Sequence, residues 1–312
     1  SIKNHNIDNI DTYKLNNNNY DNDIIKLYNN QVSNIDDILH ETTNLENLKT
    51  PKEYKNILSN NFISIRVKRD VINNLFYVIK YERSKRKIFI ISNKYEYNVL
   101  KKILSIFDLF DIITKKENSY KLQVYLSDEE KKLNYNIDYL GPDNINSGST
   151  YPGYNITLWR REEIYKVLIH EIIHYLHLDM NEYQHKFHKL YNNINLIGEC
   201  NPNEAYTETL ALFIFTYWKY KKNRKKNISK YFKKTLLIEI GWSYFQIAKI
   251  LNFFRCYDTY EDLFKKCSFK QKTNVLSYFI LKTFLLRNIK KTIECINFKT
   301  LVQNEDLTDK LL

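Results

Sequence analysis

"VLIHEIIHYLHLDM", residues 167–180, holds three of the seven histidines in a chain of 312 residues. His170, His174 and His177 fall at i, i+4 and i+7. On a helix turning about 100° per residue, Ile164, Leu168, Ile172 and Tyr175 share one face and the histidines another. The apolar stripe is the core side, and the histidines line a different face, as a cleft requires. His170 and His174 are one turn apart and can hold a single metal ion. Imidazole nitrogen suits zinc, which takes a tetrahedral shell and leaves one position for water. Glu171 sits beside the first histidine, where it can accept a proton from that water. "HEIIH" thus fits the H-E-x-x-H pattern of two metal-binding histidines and a general base.

His177 fails as a third ligand. It lies about 10 Å along the helix from His170 at 1.5 Å per residue, too far for bonds of about 2 Å. The extended pattern H-E-x-x-H-x-x-G-x-x-H also fails, because His177 occupies its glycine position and Met180 its last histidine. The ligand must come from another segment, and "ECNPNEAYTETLALF" (199–213) offers one. Glu204 and Glu208 stand one turn apart on one face of a helix that begins after Pro202. One carboxylate facing the metal and another holding a ligand histidine by its free N–H are both useful there.

HExxH followed by N-E-A-x-x-E resembles the gluzincin branch of zinc metallopeptidases, over residues 159–212. The resemblance implies a zincin-like α+β catalytic core and one Zn2+ per chain, bound by His170, His174 and Glu204. It further implies that Glu208 orients a zinc histidine and that Glu171 activates water for peptide-bond hydrolysis. The stretch "NSGSTYPGYNITLWRREEIYKVLIHEIIHYLHLD" (146–179) is also similar to uncharacterised HExxH proteins of large DNA viruses. That similarity implies a site of action inside an infected host cell. Such centres need an oxyanion donor, but 26 tyrosines leave the choice open. Tyr206, two residues from Glu204, points off that face.

The flanking sequence sets the context. Residues 1–58 form an Asn-rich polar leader, 59–220 the α+β catalytic region and 221–312 a basic, mostly helical C-terminal lobe. "NFISIRVK", "NLFYVIKYE", "KRKIFIIS" and "SYKLQVYLS" read as strands, and "NKYEYNVLKKILSIFDLF" as a helix. Residues 141–154, with three of the five glycines and two of the four prolines, read as a loop. "YNITLW" then reads as a strand at the cleft edge, ready to pair with an extended peptide. The helix that follows carries Glu162 and Glu163 in its first turn. Helices are expected over 203–220, 228–238, 242–254, 259–266 and 271–288.

The formal net charge is +12. No acid occurs from Thr209 to Ile238, and residues 218–234 carry nine Lys or Arg. Lys221, Lys222, Arg224, Lys225 and Lys226 make an anion-attracting patch, about 20–25 Å from the metal along the helix that bears Glu204. An acidic polypeptide substrate would be drawn there, and nucleic acid or an anionic membrane would satisfy the same charge. A binding module that holds such a partner without hydrolysis is the alternative, and the intact Glu171 argues against it. The four cysteines form no CxxC pair, which suits a reducing, intracellular compartment. No apolar run approaches the ~20 residues of a membrane span.

Overall fold

The computed structural model describes residues 57, 60–75, 77–179, 195–222, 228–255, 268–289, 291 and 292. Almost all of the expected leader, and the expected helix at 259–266, lie outside that set. Val67, Val71 and Leu75 recur every fourth residue, and all three are buried. They belong to the region of helix α1 (Ile65–Asn74), whose N-cap Ser64 accepts a hydrogen bond from the Val67 N–H. The strand expected from the alternation in "NFISIRVK" is therefore a helix. Ile65, which that alternation would bury, is 65% exposed. The serine cap and the four-residue repeat outweigh a short run of β-branched residues.

Strands β1 (Tyr77–Arg83) and β2 (Arg86–Ser92) form an antiparallel hairpin, with Ser84 at positive φ in its turn. Helix α2 (Tyr97–Thr114) crosses over to β3 (Tyr120–Tyr125), which runs parallel to β2. A one-turn helix, α3 (Pro142–Ile145), precedes the hairpin of β4 (Gly148–Tyr151) and β5 (Asn155–Leu158). β5 pairs parallel with β3, giving the five-stranded order β1-β2-β3-β5-β4. "NITL" is thus an interior strand, and the sheet edge is Gly148–Tyr151, inside the stretch expected to be a loop. Its residues are small and polar and carry little strand signal of their own. They pair because the turn at Pro152, Gly153 (φ +68) and Tyr154 folds them back onto an apolar neighbour.

Alternation along the strands divides the sheet into two apolar faces. Ile88, Ile90, Leu122, Val124, Ile156 and Leu158 share one cluster with buried residues of α2 and of helix α4 (Ile164–Tyr175). Phe89, Ile91, Tyr125 and Trp159 pack on the other side, with Val67 and Val71. α4 begins later than expected. Glu162 and Glu163 precede it, Glu163 at positive φ, and both bind Lys131.

Helices α5 (Asn203–Lys222) and α6 (Ile228–Phe253) follow, and α6 runs unbroken through Gly241. A solvent-facing glycine costs a helix about 1 kcal/mol and need not end it. β6 (Asn195–Ile197) and β7 (Ser268–Lys270), neither expected, form a small parallel pair. A π-helix (Leu276–Leu281) then runs directly into α7 (Lys282–Arg287). Phe232 of α6 and Leu286 of α7 join the cluster that contains Leu168 and Leu210, so one core takes residues from both sides of position 220. The architecture is α+β. No helix among the described residues is long and apolar enough to cross a membrane.

Candidate metal centre

α4 is buried on most sides; its two motif histidines face α5 and its motif glutamate faces β4. His170 and Glu171 are buried, and His174 is partly so. His170 Nε2 lies 3.1 Å from His174 Nε2. Glu204 Oε2, from the first turn of α5, lies 3.2 Å from the former and 3.3 Å from the latter. These three residues form a group that can hold a metal ion. Around a tetrahedral ion with bonds of about 2.0–2.1 Å, neighbouring ligand atoms stand about 3.3 Å apart, so the donor set fits one.

Each histidine is held from behind. His170 Nδ1 pairs with Glu208 Oε2 at 3.1 Å, and His174 Nδ1 with Asp179 Oδ2 at 3.0 Å. A carboxylate on Nδ1–H fixes the tautomer that leaves Nε2 to the metal. Glu208 also pairs with the half-buried Lys166 through its other oxygen. Asp179 had no signal in the sequence, and local backbone geometry brings it in. His177 adopts φ 53, its N–H bonds His174 O at 3.1 Å and the Leu178 N–H bonds Ile173 O at 2.9 Å. This Schellman turn reverses the chain at the end of α4. His177, which could have been mistaken for a ligand, is the exposed pivot of the turn. His185 and His188 lie outside the described residues.

Burial works against an imidazolium here, but Glu204 and Glu208 outweigh it at His170, and Asp179 and Glu204 at His174. The two pKa values rise to about 9 and about 10. Burial also works against the Glu204 carboxylate, and the two histidines reverse it, holding its pKa well below the ordinary value. Without a metal ion, these shifts favour a proton on each imidazole. The sign of the resulting pH dependence is fixed. The stabilisation from the raised histidines is fully present below their unfolded pKa of about 6.5 and is lost as pH climbs through about 9 to 10. Thermal melts of chelator-treated protein should fall over that interval. Protein that takes up a metal ion at this site, binding through neutral imidazoles, should not show this fall.

Glu171 stands apart from the three donors. Burial raises its pKa, against the lowering effect of the two histidines, and the Thr150 hydroxyl donates to it at 2.6 Å. It lines a cavity of about 100 Å³ together with Gly148, Val167, His170, Trp242 and Tyr278. The ion pairs Lys131–Glu163 (3.2 Å) and Lys282–Glu239 (2.9 Å) line the same cavity.

Tyr278 comes from the π-helix. Its ring meets His170 edge to face, with centroids 5.9 Å apart, and its hydroxyl hydrogen-bonds Glu204. Burial, then the charges of Glu204, Glu171 and Glu208, push its pKa well above the usual tyrosine value, so it stays a donor. No sequence pattern singled it out among the tyrosines. π-helical turns concentrate at functional sites, but their unwinding leaves no mark in composition.

Of the basic patch, Lys221 is exposed near the end of α5, with its Nζ 5.7 Å from the Tyr217 ring centroid. Lys222 is the last residue of α5. Arg224, Lys225 and Lys226 lie outside the described residues.

No known protein family matches the chain, and no solved structure matches it. It is similar to an uncharacterized protein of Acanthamoeba polyphaga mimivirus, 28% identical over 196 residues. That alignment takes in 57% of this chain and 50% of the mimivirus protein, so the chain spans about half the length of the curated relative it matches.

Proposed function

We propose that this chain is a zinc-dependent metallopeptidase of the gluzincin type on a zincin-like core. The observation that carries this reading is the buried Glu171 carboxyl beside the convergent His170, His174 and Glu204 donors, on the wall of a cavity. Two imidazoles and a carboxylate suit zinc better than calcium or magnesium, which favour all-oxygen shells. Zinc bound there would polarise a scissile carbonyl and lower the pKa of a water.

The residues of the chain supply the rest. Glu171 takes a proton from the attacking water and delivers it to the leaving amine, and its raised pKa makes it the stronger base for the first of these transfers. The Tyr278 hydroxyl donates to the oxyanion that forms at the carbonyl. β4, the last strand of the sheet among the described residues, offers its outer edge to an extended polypeptide. The basic stretch beyond α5 favours acidic polypeptides in a salt-dependent way, and the mimivirus relative is in keeping with action inside an infected host cell. A role in binding alone gives no use for a carboxylate buried and held at this place.

The test is elemental analysis of the purified chain, then cleavage profiling of a proteome with Glu171→Gln as control. About one zinc per chain and cleavages absent from the control support the reading, and a chain without zinc refutes it. Tyr278→Phe should lower kcat by about 10²–10³-fold with little change in KM, as loss of one oxyanion donor does. An unchanged kcat would remove Tyr278 from the mechanism.

A further inference from the structure

We propose that Thr150 is a positioning residue that holds the Glu171 carboxylate for proton transfer, and that Gly148 leaves the space this hold requires. The catalytic role of that hold rests on the peptidase reading, whereas the hold itself rests on packing.

The register of the β4–β5 hairpin places both residues. Gly148 pairs with Leu158 and Thr150 with Ile156. Directly opposed residues on neighbouring strands share a face. Ile156 and Leu158 belong to the cluster that packs against α4, so Gly148 and Thr150, two residues apart, both face α4. Ser149 between them faces the other way.

The Thr150 hydroxyl lies 2.6 Å from Glu171 Oε2 and 3.1 Å from the main-chain oxygen of Glu171. An ionised carboxylate and a carbonyl can only accept, so the hydroxyl is the donor. Threonine is β-branched and stiff at χ1, which makes it a firmer clamp than a freely turning serine. The other oxygen lies against bare backbone. A Cβ added to Gly148 would stand 2.6 Å from Glu171 Oε1, 2.9 Å from Glu171 Cγ and 2.8 Å from Val167 Cγ1. Gly148 does not have the positive φ seen at Gly153 and Gly198. Space, and not backbone conformation, is therefore what glycine provides at this position.

The two contacts divide the work of the carboxylate. Oε2 is pinned by the hydroxyl, and Oε1 is left to receive the proton. When an O–H bond of the attacking water breaks and Oε1–H forms, Oε2 remains an acceptor. The Thr150 bond survives the transfer, and the carboxyl stays aligned to return the proton to the leaving amine. A glutamate free to change rotamer would lose that alignment, and misplacement by about 1 Å can cost about 100-fold in rate.

Thr150→Val keeps the shape and removes the donor, while Thr150→Ser keeps the donor. Thr150→Val should retain its zinc and lose about 10–100-fold in kcat, with KM within about threefold. Thr150→Ser should recover kcat to within about threefold, and Gly148→Ala should lose kcat as Thr150→Val does. A residue that only cements β4 to α4 would lower the melting temperature without separating kcat from KM. Wild-type kcat in Thr150→Val, loss of its zinc, or a serine variant no better than valine would overturn the proposal. If the wild-type chain cleaves nothing, the peptidase reading falls on its own, and crystal structures of zinc-loaded wild type and Thr150→Val decide the hold. One carboxylate position in wild type and several in the variant support it, and the same single position in both overturns it.

Discussion

Glu171→Gln is expected to abolish hydrolysis and leave the metal in place. Glu171 offers no atom to the group formed by His170, His174 and Glu204, so its loss removes no ligand. The amide is nearly isosteric, fits beside Gly148 and can still accept from Thr150 through its oxygen. Only the capacity to take a proton disappears. General bases contribute about 10²–10⁴-fold, and the loss in kcat should fall in that range at unchanged zinc content. Paired elemental analysis and single-substrate kinetics on wild type and variant check this. Zinc missing from the variant would mean that Glu171 serves the architecture of the centre, and full activity would mean that another group moves the proton.

The second large effect separates Glu204 from Glu208. The Glu204 oxygen touches both Nε2 atoms, whereas Glu208 reaches only the far nitrogen of His170. Glu204→Ala should lower zinc affinity by more than about 100-fold, and Glu208→Gln by about 10–100-fold, as partners behind a ligand do. Glutamine is the right replacement at 208. Its amide oxygen can still accept from the Lys166 ammonium, only 15% exposed, where alanine would leave no acceptor in place of Glu208. A donor left without an acceptor costs about 1–3 kcal/mol, and melting curves of both variants separate unfolding from metal loss. Competition titration against a chelator ranks the two variants, and the opposite order would exchange their roles.

The helix carrying the motif could be read because two periodicities agree there. Ile164, Leu168, Ile172 and Tyr175 mark one face, and His170 and His174 another. The Glu204–Glu208 pair was legible for the same reason, one turn on one face after a proline. β1, β2 and β5 were legible as apolar, β-branched stretches and β3 by its alternation. What could not be read was set by distant partners. α1 carries an alternating pattern that its cap and packing override. β4 is written in Gly, Ser, Thr and Tyr, and becomes a strand because β5 lies beside it. β6 and β7 are three residues each and exist only as a pair. Asp179 reaches His174 through a backbone turn at a histidine, where glycine is the usual residue. Tyr278 is placed by helical phase, which composition does not record. The proposed partners of the metal, and Glu208 behind His170, were therefore visible, whereas Asp179, Thr150 and Tyr278 were not.

The short β6–β7 ribbon has a consequence for the order in which the site assembles. His170 and His174 come together as soon as one helix forms. Tyr278 arrives only after the chain between Ile197 and Ser268 has closed on itself. A flexible loop of that length costs about 4 kcal/mol in lost chain freedom to close, and contacts so remote in sequence form late. On the proposed reading, a chain still folding would bind a metal ion before it acquires the hydroxyl. In a refolding time course, metal uptake should lead the return of activity. On the peptidase reading, a half-folded copy would hold an ion before it held the hydroxyl needed to cut its neighbours.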